Sequence, residues 1–114
     1  MSRVEAINRL HLFQSTDFTL SRSHSATGFD SMCIDLHTHS IYSDGSARPA
    51  ELVELAVQHG LKGLALTDHD TVEGVAETMR LGQEAGLTVI SGVEISTTLR
   101  QHTLHMLAYG IDPH

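Results

Sequence analysis

The chain has 114 residues, 40% of them hydrophobic but only 4% aromatic and none Trp, which suffices for one modest, mostly aliphatic core and no second domain of comparable size. Fourteen acidic against seven basic residues give a formal charge of −7. That balance excludes a broad basic surface for nucleic acid, so a phosphate-bearing ligand has to be drawn by local positive charge of the kind bound divalent cations supply. Cys33 is the one cysteine, so no intrachain disulfide can form. Residues 1–31 lack the apolar core of a secretory signal and no stretch has the length of a membrane span, and the expected setting is the cytoplasm.

Residues 1–31 read as a poorly ordered leader, because residues 15–30 mix Ser, Thr, His and Arg without a steady period. Residues 4–13 have the pattern of one short amphipathic helix, a length that is marginal alone. Met32 stands just before the first strong strand signal and is the expected natural start. From Ile34 onward short apolar runs alternate with amphipathic segments, the pattern of an α/β fold with parallel strands and intervening helices. Residues 34–38 form the first expected strand. A helix follows over 47–59, with Pro49 in its first turn, Leu52, Val53, Leu55 and Ala56 on one face, and Gly60 past its end. Residues 61–67 give the second strand. Asp70 and Glu73 read as a capping box that opens a second helix, stopped at Gly86. Residues 87–91 and 103–109 are the third and fourth strands, ahead of Asp112-Pro113.

His37-Thr38-His39 ends the first strand, and a period of two puts both imidazoles on one face. Asp44-Gly45 follows in a loop, Asp68-His69-Asp70 closes the second strand, and Glu94 is expected just past the third. Open α/β folds gather ligands at the carboxyl ends of their strands, and imidazole with carboxylate suits zinc, iron and manganese. His102 and His105 differ by three positions and face opposite ways on a regular strand, so at most one joins the cluster; parity alone does not say which. Asp68 is a candidate acceptor orienting His69, and Asp70 is expected to cap the following helix. His59 ends a helix, where a cation is favourable, and His11, His24 and His114 lie in terminal or weakly patterned sequence; none is expected to be catalytic.

The segments Asp35-Leu36-His37-Thr38-His39-Ser40, Ser43-Asp44-Gly45, Leu66-Thr67-Asp68-His69-Asp70-Thr71 and Gly92-Val93-Glu94-Ile95-Ser96 together resemble the polymerase and histidinol phosphatase (PHP) family over residues 34–112. With the run from His105 to Asp112 they are most similar to its bacterial stand-alone phosphoesterase branch, which includes nucleoside 3',5'-bisphosphate phosphatases and 5'-to-3' exonucleases. The resemblance implies a distorted seven-stranded β/α barrel holding up to three divalent metals, manganese foremost, with zinc or iron as alternatives. It further implies that His37, His39 and Glu94 bind one metal, Asp44 and His69 a second, and Glu94 with His105 a third, and it is the ground for choosing His105 over His102. Asp44, His69 and Glu94 would act through a metal-activated water on a phosphate ester. The implied substrate is a nucleotide bisphosphate or a short RNA 5' end, without a membrane or an extended nucleic-acid surface. Two alternatives stand beside it: a non-catalytic metal-binding module and a histidinol-phosphatase-like enzyme.

Members of that branch are well over twice as long and supply further ligands from later strands. Four strands cannot close a barrel. The expectation is therefore an amino-terminal fragment, residues 32–114 forming a partial PHP domain, with weakened metal binding and little or no turnover unless another chain completes it.

Overall fold

A computed structural model describes residues 33–114, and the expectations placed on the leader, its helix and Met32 lie outside the described residues. In chain order the elements are β1 (Ile34–Thr38), α1 (Pro49–Gln58), β2 (Gly63–Leu66), α2 (Val75–Ala85), β3 (Thr88–Leu99) and β4 (His102–Tyr109). The four strands form one sheet in the order β1-β2-β3-β4. β1, β2 and the first part of β3 pair in parallel through helical crossovers, the expected α/β pattern. β4 departs from it and runs antiparallel to β3. Only Arg100 and Gln101 separate β3 from β4, too few for a crossover helix, and they take the left-handed φ values, 47° and 71°, of a two-residue hairpin turn.

α1 starts where Pro49 allows, and the Glu51 carboxylate accepts the Arg48 backbone N–H at 2.8 Å. α2 ends at Gly86 in the left-handed conformation, as its sequence signal implies. Its start differs from expectation: the residue at its N-cap is Gly74, without a side-chain cap, so Asp70 and Glu73 form no capping box. Asp70 is engaged elsewhere. It sits at φ 54°, and its carboxylate accepts the Ser96 N–H at 2.8 Å, tying the end of the β2 line to β3.

The core lies between the sheet and the helices in two contiguous clusters. Ala47, Leu52, Leu66 and Val75 form one; Val53, Ala56, Leu61, Leu64 and Leu87 form the other. Leu64 and Leu66 are wholly buried, and each such leucine contributes about 1.5–3 kcal/mol relative to exposure. The far face of the sheet carries the candidate site. There the sheet curls: the Tyr109 hydroxyl on β4 donates to the Leu36 carbonyl of β1 at 2.6 Å, although the two strands are not neighbours. Among the described residues no helix is long and apolar enough to cross a membrane.

Candidate metal centre

β1 is irregular just where it delivers its histidines. Asp35 pairs with Leu64 and Thr38 with Leu66, so three steps on β1 match two on β2, the mark of an inserted residue. Leu64 and Leu66 both face the helices, and residues paired across a parallel ladder share a face. Plain alternation from Asp35 would turn His37 and His39 toward the helices. The extra residue turns them to the opposite face, and the Asp35 carboxylate accepts the His37 backbone N–H at 3.0 Å within the irregularity.

The chain then folds back through a tight loop in which Ser43 and Gly45 both donate backbone N–H bonds to the Ser40 carbonyl, at 3.1 and 2.9 Å. A side chain at Gly45 would collide with the His39 carbonyl, which is why this turn takes glycine directly after Asp44. Past β2 the chain keeps contact with β3. Glu94 donates its N–H to the Asp68 carbonyl at 3.0 Å and accepts from Asp70 at 2.9 Å, so His69 lies beside Glu94. Glu94 is therefore inside β3, not past it. β4 adds His105, which pairs with Ser96, two positions from Glu94 and on the same face. His102 pairs with Leu99 and points the other way. The register thus selects His105 on geometry alone.

The six predicted residues meet. The Nε2 atoms of His37 and His39 lie 2.9 Å apart and 2.8 and 2.9 Å from Oε2 of Glu94. Asp44 stands 3.5 Å from Nδ1 of His39 and 3.6 Å from Nε2 of His69. Glu94 is 3.7 Å from His69 and, through its other oxygen, 3.4 Å from Nδ1 of His105. Three sets of side chains emerge that could each hold a metal ion: His37, His39 and Glu94; His39, Asp44 and His69; and His69, Glu94 and His105. The first is the grouping that the resemblance implies, and the other two are the implied pairs widened by His39 in the Asp44 set and by His69 in the His105 set. The His39 and His69 rings stack at 4.6 Å and 19°, so two imidazole edges address one space.

The first triangle discriminates between protons and a cation. An imidazole nitrogen carries either a hydrogen or a lone pair. If both histidines donate to an ionised Glu94, two N–H groups face each other; if one does not, its lone pair faces the carboxylate. A single cation satisfies all three atoms, and separations of 2.8 to 2.9 Å are those of neighbouring donors at right angles around an ion with bonds of about 2.0–2.1 Å. The donor set fits a metal. The titration behaviour agrees with that fit. Burial lowers the pKa of His39 more than Asp44 and Glu94 raise it, favouring the neutral, ligating imidazole. Burial pushes the Glu94 carboxyl up, but its hydrogen bond with His37 and the neighbouring imidazoles outweigh this and hold it below its usual value.

Asp68 does not orient His69 as expected. Its carboxylate accepts from Ser40 N–H, Ser40 Oγ–H and Ser43 Oγ–H at 2.6, 2.6 and 2.7 Å, all in the loop that carries Asp44. Asp35, Ser40, Ser43 and Tyr109 are the supporting residues that sequence reasoning missed. Asp35 had a signal in its position two residues before His37; the Ser40 to Asp68 pairing, 28 residues apart, had none. His59 lies at the end of α1 and His114 at the end of the chain, outside all three sets, while His11 and His24 fall outside the described residues.

Comparison with known proteins adds an independent line. The model of the PHP domain matches residues 35–112. A 3',5'-nucleoside bisphosphate phosphatase of Chromobacterium violaceum is 42% identical over 80 residues, covering 70% of this chain and 28% of its own length. A 5'-3' exoribonuclease of Haemophilus influenzae is 44% identical over 78 residues, 68% of this chain and 28% of the relative. A solved Bifidobacterium adolescentis protein, assigned as a metal-dependent phosphoesterase, superposes with a TM-score of 0.69 at 40% identity, over 73% of this chain and 29% of that one. The chain thus spans less than a third of the length of the relatives it matches. With the site motifs, the curled α/β sheet and the matched residues in agreement, the chain belongs to the PHP domain family.

Proposed function

We propose that the protein is a metal-dependent phosphoesterase acting on phosphate esters of nucleotides or on the 5' end of short RNA, with His37, His39, Asp44, His69, Glu94 and His105 holding up to three divalent ions, manganese foremost. The observation that carries this reading is the interlocking of the three donor sets: Glu94, whose oxygens lie 2.8 to 3.7 Å from four histidines, belongs to two of them, and His39 and His69 link the Asp44 set to both. Bound ions of this kind activate water near neutral pH and stabilise the charge that develops on a transferring phosphoryl group. The chain's own contribution is to hold the donors. Glu94 is fixed by two backbone bonds to the β2 line, and the depressed pKa of His39 keeps a neutral nitrogen available. Asp44, with its side chain 58% exposed, stands at the open side of the cluster where a substrate oxygen would approach. Nucleotide substrates are favoured because the relatives named above are a nucleoside bisphosphate phosphatase and an exoribonuclease.

The test is elemental analysis of the manganese-loaded chain, with His37→Ala and Glu94→Ala as controls, followed by phosphate release from a nucleoside 3',5'-bisphosphate. The expected result is at least one ion per chain, lost in both variants, and slow manganese-dependent release that neither variant supports. A folded wild-type chain that takes up no ion overturns the reading.

A further inference from the structure

Asp68 is 1% exposed and belongs to none of the three donor sets, so its buried charge needs another account. Its carboxylate accepts three hydrogen bonds at 2.6 to 2.7 Å, the short range of charge-assisted bonds, and all three donors sit in the loop between β1 and α1. Ser40 is the hub of that loop. Its carbonyl accepts from Ser43 and Gly45, and its hydroxyl oxygen, which donates to Asp68, accepts from the Tyr42 N–H at 3.2 Å. Asp44 lies between the two residues that the Ser40 carbonyl holds. On its other side Asp68 is peptide-bonded to His69, and its carbonyl receives the Glu94 N–H. One buried residue therefore joins the loop that presents Asp44 to the segment that presents His69. By contrast, His37 and Glu94 reach their triangle from β1 and β3, and His39 follows directly on the end of β1, ahead of the residues that Asp68 holds.

We infer that Asp68 is a positioning residue that sets the spacing of Asp44 and His69, and so governs the ion held by His39, Asp44 and His69 while leaving the His37, His39 and Glu94 ion in place. This rests on the metal-binding reading above. Removing an outer partner of a ligand typically weakens metal affinity about 10- to 100-fold, and here that loss falls on one binding step.

The experiment is a calorimetric titration of the full 114-residue chain with Mn2+, for wild type, Asp68→Ala and Ser43→Ala, with the unfolding midpoint of each metal-free protein measured alongside. The expected result is two resolved steps in wild type, the tighter one unchanged in both variants. The weaker step is displaced by about 10- to 100-fold in Asp68→Ala, and by less in Ser43→Ala, which keeps both Ser40 bonds. A purely structural role would lower the unfolding midpoint without changing the ratio of the two affinities, and that outcome overturns the inference. A single step insensitive to either substitution overturns it too, while leaving the metal reading intact. Wild type without any uptake removes both. Should Asp68→Ala fail to fold, an unchanged second step in Ser43→Ala is enough to sink the proposal and a weakened one supports it.

Discussion

The parallel half of the sheet and its antiparallel hairpin are built on opposite terms. Where β1, β2 and the start of β3 lie under α1 and α2, Leu64, Ala65 and Leu66 are fully buried. Beyond Glu94 no described helix covers the same face, and Ile95, Leu99, Leu104 and Met106 are exposed, Leu99 by 60%. The donors follow this division. His37, His39 and Glu94 are rooted over the packed half and stand within 2.9 Å of one another, whereas His105 comes from the hairpin, its side chain 48% exposed and 3.4 Å from Glu94. Tight donor geometry coincides with packing, which teaches that preorganisation of the centre is inherited from the core beneath it.

The sharpest way to break this comparison is in the core. Leu66→Ala should cost about 2–5 kcal/mol of stability in urea denaturation, since the side chain is wholly enclosed. A loss below 1 kcal/mol would mean that the parallel half is not the stable part. Next comes Glu94→Gln, which removes the charge common to two donor sets. Manganese affinity in the tightest step should fall by more than the roughly 100-fold that losing an outer partner costs.

Acid should act on the packed half in a defined order. His39 and Glu94 both bind a proton more weakly in the fold than in the unfolded chain, so the stability they contribute is complete above their ordinary values, 6.5 and 4.5. It is lost as the pH falls through their lower folded values. The urea midpoint of metal-free protein should therefore be level above pH 6.5 and decline below it, with a further decline below 4.5. His39→Gln should remove the upper part of that decline, and an unchanged profile would sever it from His39.

Smaller effects sharpen the contrast on the hairpin. His105→Ala should weaken manganese binding by about tenfold, as for a partner of the centre that is not its anchor, and His102→Ala should leave it unaltered because it faces away. Equal effects of the two would contradict the register. Smallest of all, Met106→Ala should change stability by no more than about 0.5 kcal/mol.

Much of this arrangement is legible in the residue order, for physical reasons that differ by element. The four strands and two helices announce themselves by period, and Pro49, Gly60 and Gly86 by backbone freedom or its lack. The donors were visible because imidazole and carboxylate recur at three successive strand ends. What escaped depends on contacts distant in sequence. Nothing near Asp70 tells that Ser96 will engage it in place of the helix, and nothing near Asp68 tells that Ser40 and Ser43 will return to it. The antiparallel turn of β4 was hidden as well, because a strand's period carries no direction.

The irregularity in β1 has a consequence for how this protein can vary. Leu36 is 47% exposed, and exchanging its side chain disturbs little that the neighbouring strand requires. Deleting it would act on the backbone instead. The shortened strand would match β2 step for step, with Asp35 and Thr38 still toward the helices and both imidazoles still on the opposite face, but it would lose the Leu36 carbonyl that receives the Tyr109 hydroxyl. Two proteins differing there by one deletion would keep the same core and the same facing of the donors, and would differ in how β4 is tied across to β1.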